Sequence, residues 1–268
     1  MPAGKDAMTR DTPRLGTSCA ENMSMAHCRR AAAFTRLDLA VLIGVLIVIG
    51  LILGYVLLRE RATSWRICCN CNLKGVGTAY RIWANDNGGQ YPAFTPQTNG
   101  GWRELLYLTN ASTYVWTNYA TMADEMGQCP LVLVCPADNR KPANSFSNFV
   151  ANTNLSYFVG VIANDTFPQS LLGGDRNLGP GTTPDPEYGF SPADGRGNDV
   201  VINGLICWSL KMHSRGNPAG MGNILLGDGS VQQTTSERLN TDWLKGALAE
   251  KAAHDKATNF AGLRLIFP

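Results

Sequence analysis

The sequence predicts an α+β protein in which one long N-terminal helix packs on an antiparallel β-sheet, and three observations lead there. Leu39–Leu58 is apolar and carries no charge. Beyond it, apolar residues recur at helical spacing. From residue 88 onward, short β-prone runs alternate with clusters of Gly, Pro, Asn and Asp.

The apolar run comes first. About 20 residues at roughly 1.5 Å each cover a hydrocarbon core of about 30 Å, so it is long enough to cross a bilayer. A cleaved secretory signal is the competing reading, but its apolar stretch is usually about 7–15 residues and ends in small residues. This run ends in "RERATSW", a poor cleavage context. In "WRICCNCNLKGVGTAYRIWANDNGG", Trp65, Cys69, Leu73, Val76, Tyr80 and Trp83 fall at steps of three or four, one face of a helix. The helix therefore continues past the bilayer. It ends near Asn87-Gly88-Gly89, where glycine supplies a left-handed cap and Pro92 discourages a restart. From Phe34 to Asn87 that makes one helix of some 54 residues, roughly 80 Å long. Gly75 and Gly77 weaken it by roughly 1 kcal/mol each relative to alanine.

The remainder changes character. "YVWTNYA", "LVLVCP", "SYFVGVIA", "DVVINGLICWSL" and "GNILLGDGSVQQT" read as strands, the last as a hairpin turning at Asp228-Gly229. Residues 173–198, "GGDRNLGPGTTPDPEYGFSPADGRGN", read as a surface loop. "SERLNTDWLKGALAEKA" reads as a final helix, capped by Ser236 or Thr241, with Leu239, Trp243 and Leu244 available for packing. No internal repeat is visible.

Composition and charge narrow the function classes. The 268 residues are 44% hydrophobic and 16% charged, enough beyond the anchor for one domain of about 200 residues with a real core. The formal charge of +2 is accounted for within residues 1–33, so the rest is neutral and no nucleic-acid partner is expected. Arg29 and Arg30 precede the span, which keeps that end in the cytoplasm and sends the C-terminal bulk across the membrane.

Cys19 and Cys28 precede the span, whereas Cys68, Cys69, Cys71, Cys129, Cys135 and Cys207 follow it. In an oxidising compartment these six can be disulfides or buried thiols, and pairing cannot be read from sequence. A metal reading of "CCNC" with "CPLVLVC" lacks Cys-x-x-Cys spacing and a histidine nearby in sequence, so no metal is expected there. Calcium through Asp175, Asp194, Asp199 or Asp228 is chemically allowed, but no Asp-x-Asp-x-Asp-Gly loop supports it.

Catalysis finds little support. There is no Gly-x-Ser-x-Gly, phosphate-loop or His-Glu-x-x-His motif, and only His27, His213 and His254 are available as bases or ligands. His213, Asp228 and a serine could be drawn as a hydrolase trio. Asp228 is better explained as a turn residue, so no enzyme is expected.

One acid stands apart. Asp38 lies at the mouth of the apolar run, close to Arg36, and an ionised carboxylate at the edge of hydrocarbon is costly unless paired. On its own it reads as a solvated headgroup-level residue.

Four stretches, in order, carry a family resemblance. "FTRLDLAVLIGVLIVIGLI" resembles the N-terminal segment of type IV pilins and type II secretion pseudopilins, a Phe-Thr-Leu-Ile-Glu-Leu pattern leading into apolar residues. "CNCNLKGVGTAYRIWANDNGGQYP" is similar to the C-x-x-N-L-K-Q-I-G…Y-x-x-D-N-x-G-x-Y-P segment of the bacterial pseudopilin branch with a C-terminal His-x9-Asp-Gly processing-associated region. "HSRGNPAGMGNILLGDGSVQQ" is similar to that branch's final His…Asp-Gly-Ser-Val hairpin, which points to His213, Asp228 and Gly229. With "VCPAD" and "LSYFVG", the likeness touches most of residues 34–233. There are departures. Ala33 stands where the family's peptidase prefers Gly, Asp38 where Glu is usual, and Arg36 where an apolar residue is usual. Fourteen residues rather than nine separate His213 from Asp228. Met25 offers a second start that gives a leader of nine residues, "MAHCRRAAA".

The resemblance implies a pilin-like fold divided into a leader (1–33), a transmembrane part of the helix (34–58), an amphipathic part (59–87) and an extracytoplasmic domain (88–268). It implies cleavage between Ala33 and Phe34 by a prepilin peptidase, with methylation of the new Phe34 amine. That amine would pair with the Asp38 carboxylate of a neighbouring subunit during assembly. The implied partners are copies of itself or other pilin-like subunits, an inner-membrane assembly platform and membrane lipid. The implied role is a structural filament subunit in the inner membrane, with its domain in the periplasm or outside the cell. The alternative is a membrane-tethered extracytoplasmic binding module that does not polymerise.

Overall fold

The computed structural model describes residues 35–214, 217–258 and 263–268. Ala33, Phe34, the leader, Cys19 and Cys28 lie outside them. Helix α1 runs Arg36–Asp86, close to the expected bounds. The chain forms two compact units that part within α1, between Leu51 and Ile52.

In the first unit every described side chain is exposed, although the helix is almost wholly Leu, Ile, Val, Ala and Gly. Such a surface is unfavourable in water. Its length and composition are those of a helix able to cross a membrane.

In the second unit the periodic stripe closes. Cys69, Leu73, Val76, Tyr80 and Trp83 are buried, and Trp65, at the start of the stripe, is half-buried. The helix stops where Gly88 and Gly89 take left-handed φ of 67° and 79°. The Gly89 N–H then donates to the Ala84 carbonyl at 2.7 Å, closing a Schellman turn.

Among the described residues eight strands follow: β1 (Tyr157–Gly160), β2 (Leu171–Asp175), β3 (Leu178–Pro180), β4 (Asn198–Ile202), β5 (Ile206–Trp208), β6 (Met221–Leu226), β7 (Val231–Thr235) and β8 (Leu263–Phe267). Six form one sheet in the order β4-β8-β1-β2-β6-β7, with every pairing antiparallel; β3 and β5 make a separate two-stranded ribbon. Alternate residues serve opposite faces. Tyr157, Val159, Leu225 and Ile266 share a core with the α1 stripe. Phe158, Ile224, Leu226, Leu265 and Phe267 share another with Trp208, Leu239 and Leu244. Both faces are covered, so the strands read as short apolar runs rather than as clean alternation.

The expected hairpin is present. β6 and β7 pair from Met221↔Thr235 to Leu225↔Val231, around Asp228-Gly229. "SYFVGVIA" contains β1, and "DVVINGLICWSL" contains β5 and all of β4 but its first residue, Asn198.

Four readings are corrected. "YVWTNYA" is not a strand but holds α2 (Val115–Ala120), because Val115 and Tyr119, four residues apart, are both buried and the Tyr119 hydroxyl donates to the Phe158 carbonyl at 2.9 Å. Tertiary packing overrides β-propensity there. "LVLVCP" is a single tight turn, Pro130–Leu133, opened by a proline that sheet pairing would exclude, and it runs into extended chain. Residues 173–198 are not all loop, since they hold the end of β2, all of β3 and the first residue of β4. Gly174 sits within β2 because a Cβ there would come within 2.7 Å of the Asn223 carbonyl and 2.8 Å of the Phe158 ring. The final helix is capped by Thr235, not Ser236 or Thr241, and runs as α3 (Ser236–Arg238), a wider turn (Leu239–Leu244) and α4 (Lys245–Thr258).

Candidate functional site

The expected site residues fall in three separate places. At the start of α1, Thr35 and Asp38 form a reciprocal capping box. The Thr35 N–H and hydroxyl both donate to Asp38 Oδ2 at 2.9 Å, and the Asp38 N–H donates to Thr35 Oγ1 at 3.2 Å. Two N-terminal N–H groups that helix geometry leaves orphaned are thereby satisfied. The acid at the mouth of the apolar run thus has a local partner that sequence reasoning missed. The Thr-x-x-Asp spacing before an apolar run was the available signal.

Asp228 and Gly229 occupy the β6–β7 turn, where Asp228 Oδ1 accepts from the Ser230 N–H at 2.8 Å. Gly229 has a φ of 81°. This turn touches α1 closely. Arg81 Nη1 donates to the Asp228 carbonyl at 3.1 Å. A Cβ on Gly77 would lie 2.7 Å from Leu225 Cδ1 and 2.8 Å from the Gly229 carbonyl oxygen. Nearby, the Tyr91 hydroxyl donates to the Gly227 carbonyl at 2.7 Å. The Asp-Gly pair is a seam between hairpin and helix, and Gly77 is the residue that lets the two backbones meet.

His213 is not at that seam. It sits on a one-turn segment, Met212–Ser214, in a buried group with Cys69 from α1, Cys135 just after the Pro130–Leu133 turn, and Asp175 at the end of β2. One ligand atom from each lies within 4.8 Å of the others. Cys135 Sγ is 3.2 Å from His213 Nε2, and Asp175 Oδ2 is 3.5 Å from the same nitrogen. The Cys69 thiol reaches Asp175 Oδ1 at 3.2 Å and the Tyr157 hydroxyl at 3.6 Å. No residue of the four is more than 2% exposed.

Electrostatics in this group are strongly perturbed. Burial pushes the Cys69 thiol and the Tyr157 hydroxyl well above their ordinary values. Burial also raises the Asp175 carboxyl, although His213 and the Asn223 donors oppose it. Burial acts to raise Cys135 too, but hydrogen bonds from Cys69 and His213 prevail and hold it low. For His213, the opposing effect of burial is outweighed by Asp175 and Cys135, and its affinity for a proton rises.

The remaining cysteines and acids lie as follows. Cys68, Cys69, Cys71, Cys129, Cys135 and Cys207 are free thiols, and of these Cys69, Cys135 and Cys207 are buried. Asp194 pairs with Arg196 and Asp199 with Arg264, while Asp175 faces sulfur and nitrogen rather than the oxygens calcium prefers. Sequence reasoning also missed a buried ion pair. Arg176 donates to both oxygens of Asp138 at 2.7 and 2.8 Å, and its guanidinium lies 3.5 Å over the Tyr188 ring.

No family of known proteins, no curated protein and no solved structure matches this chain.

Proposed function

We propose that this chain is a pilin-like structural subunit, anchored through the first half of α1 and polymerised through that helix into a membrane-based filament of the type II secretion kind. One observation carries the reading: a single helix, Arg36–Asp86, has a fully exposed apolar beginning, whereas its later stripe is buried in the same core as an antiparallel sheet. A soluble domain has no use for the first part. A simple anchor has no need for the helix to continue unbroken into the core. On this reading the N-terminal side is cytoplasmic, the domain lies across the membrane, and the role is assembly rather than catalysis.

A tethered module that does not polymerise is favoured by a different observation. Asp38 already caps its own helix through Thr35 and needs no neighbour to be satisfied.

Cross-linking in native membranes separates the two. Asp38→Asn keeps an oxygen able to accept from Thr35 while removing the charge, and Asp38→Glu keeps both. A filament subunit gives cross-linked ladders with wild type and Asp38→Glu but not with Asp38→Asn. Ladders of equal intensity from all three, or a mature protein that still carries Arg29 and Arg30 by mass spectrometry, would leave the tethered module as the better account.

A further inference from the structure

We propose that Cys69, Cys135, Asp175 and His213 form a closed, tetrahedral site for one zinc ion, whose role is to fasten α1 to the sheet. The donor set is the first reason. Two sulfurs, one imidazole nitrogen and one carboxylate oxygen form a borderline-soft set that suits zinc and is wrong for calcium or magnesium.

Geometry is the second. Zinc bonds of about 2.3 Å to sulfur and about 2.0–2.2 Å to nitrogen and oxygen place the corners of a tetrahedron about 3.4–3.8 Å apart. Cys69 Sγ lies 3.2 Å from Asp175 Oδ1 and Cys135 Sγ lies 3.2 Å from His213 Nε2, and one donor atom from each of the four falls within 4.8 Å of the others. Admitting the ion requires the short edges to open by a few tenths of an ångström and any edge near the 4.8 Å limit to close by about 1 Å.

The third reason is what surrounds the donors. The Asn223 N–H and Nδ2 both donate to Asp175 Oδ2, at 2.7 and 2.9 Å, and the Ala137 N–H donates to Cys135 Sγ at 3.4 Å. The Tyr157 hydroxyl lies 3.6 Å from Cys69 Sγ. Outer N–H and O–H groups aimed at the sulfurs and the carboxylate stabilise their deprotonated forms, the forms that bind metal. His213 departs from the usual pattern, because its Nδ1 finds no acceptor among the described residues.

All four donors come from the protein and all are buried, so no corner is left for water or substrate. The site is structural rather than catalytic. It joins Cys69 to Asp175 across 106 residues and Cys135 to His213 across 78, as a disulfide would, without needing two sulfurs to bond.

The test uses the full-length chain, purified in detergent without a histidine tag from cells grown with zinc. Elemental analysis is expected to find one zinc per chain, retained through gel filtration and released by denaturation with a chelator. Replacement by Co2+ is expected to give tetrahedral visible bands and a thiolate charge-transfer band in the near ultraviolet. Asp175→Asn should lose the ion, and Asn223→Ala, which removes only an outer donor, should weaken Zn2+ affinity by about 10–100-fold. Cys207→Ser should retain it, because the Cys207 thiol bonds instead to the Thr183 carbonyl. Three results on the wild-type chain would each overturn the proposal: zinc well below one per chain, a Cys69–Cys135 disulfide in the peptide map, or a cobalt spectrum without thiolate charge transfer.

Discussion

Two glycines two residues apart in α1 offer a sharp test of how the helix meets the β6–β7 turn. A Cβ on Gly75 would meet nothing within 4 Å. A Cβ on Gly77 would meet the Gly229 carbonyl oxygen at 2.8 Å and Leu225 Cδ1 at 2.7 Å. The leucine tip can swing aside, but the carbonyl is backbone, and giving way there disturbs the turn. Replacing either glycine with alanine gains about 1 kcal/mol of helix propensity. Overpacking at Gly77 costs about 1–3 kcal/mol. Gly75→Ala should therefore stabilise the protein, and Gly77→Ala should be neutral or destabilising. The difference between the two variants isolates the clash, since the propensity gain is common to both and cancels. At about 2–4 °C per kcal/mol for a domain of this size, thermal unfolding followed by near-ultraviolet circular dichroism resolves it. Equal rises in melting temperature would refute the close approach of hairpin and helix.

Leu73→Asp should lower stability by at least about 3 kcal/mol, because Leu73 is fully buried and a carboxylate there has no partner; an unchanged melting temperature would show that the stripe is not packed. Asp138→Ala should cost about 3–5 kcal/mol by stranding the buried Arg176 guanidinium, and the double variant Asp138→Ala with Arg176→Met should recover part of that loss in a denaturant titration. Burial alone would raise the Asp138 carboxyl, but its pair with Arg176 outweighs burial and holds the folded-state value below the unfolded one. That contribution is complete above the ordinary carboxylate value and drains away as pH falls through the folded-state value, so the stability lead of wild type over the double variant should narrow as pH falls, read by denaturant titrations at several pH values followed by tryptophan fluorescence.

What was legible in the sequence was local. The apolar run needs only its length, the α1 stripe only a period of three to four, and the hairpin only Asp228-Gly229 between two β-prone runs. The tetrad was illegible for the opposite reason. Zinc is ordinarily recognised from ligands paired within one short loop, whereas here each donor comes from a different element. Cys69 and Asp175 are 106 residues apart, and Cys135 and His213 are 78 apart. Only the folded sheet brings them together. β2 was hidden by composition, since its two glycines signal a turn until Phe158 and Asn223 are seen pressing on them. The Thr35 capping box is written in the Thr-x-x-Asp spacing, but a carboxylate at the edge of hydrocarbon reads equally as a charge that needs a partner.

The position of β8 in the sheet governs how the chain must fold. Among the described residues β4 hydrogen-bonds to no strand of the sheet but β8, and one edge of β1 is closed by β8 alone. The closing contact joins Val159 to Ile266, across more than a hundred residues. The sheet therefore cannot zip up in chain order. A nascent or stalled chain that has not yet delivered Leu263–Phe267 holds β1 with a bare edge and β4 with no partner, and a bare edge is a template for strands of other chains. Long-range closure of this kind is also slow, because loop entropy is lost before any contact rewards it. Yield in the cell should thus depend on what shelters the β1 edge during that interval. Occupying the gap in trans with a peptide of the sequence "LRLIF" should suppress aggregation of a chain truncated after residue 258.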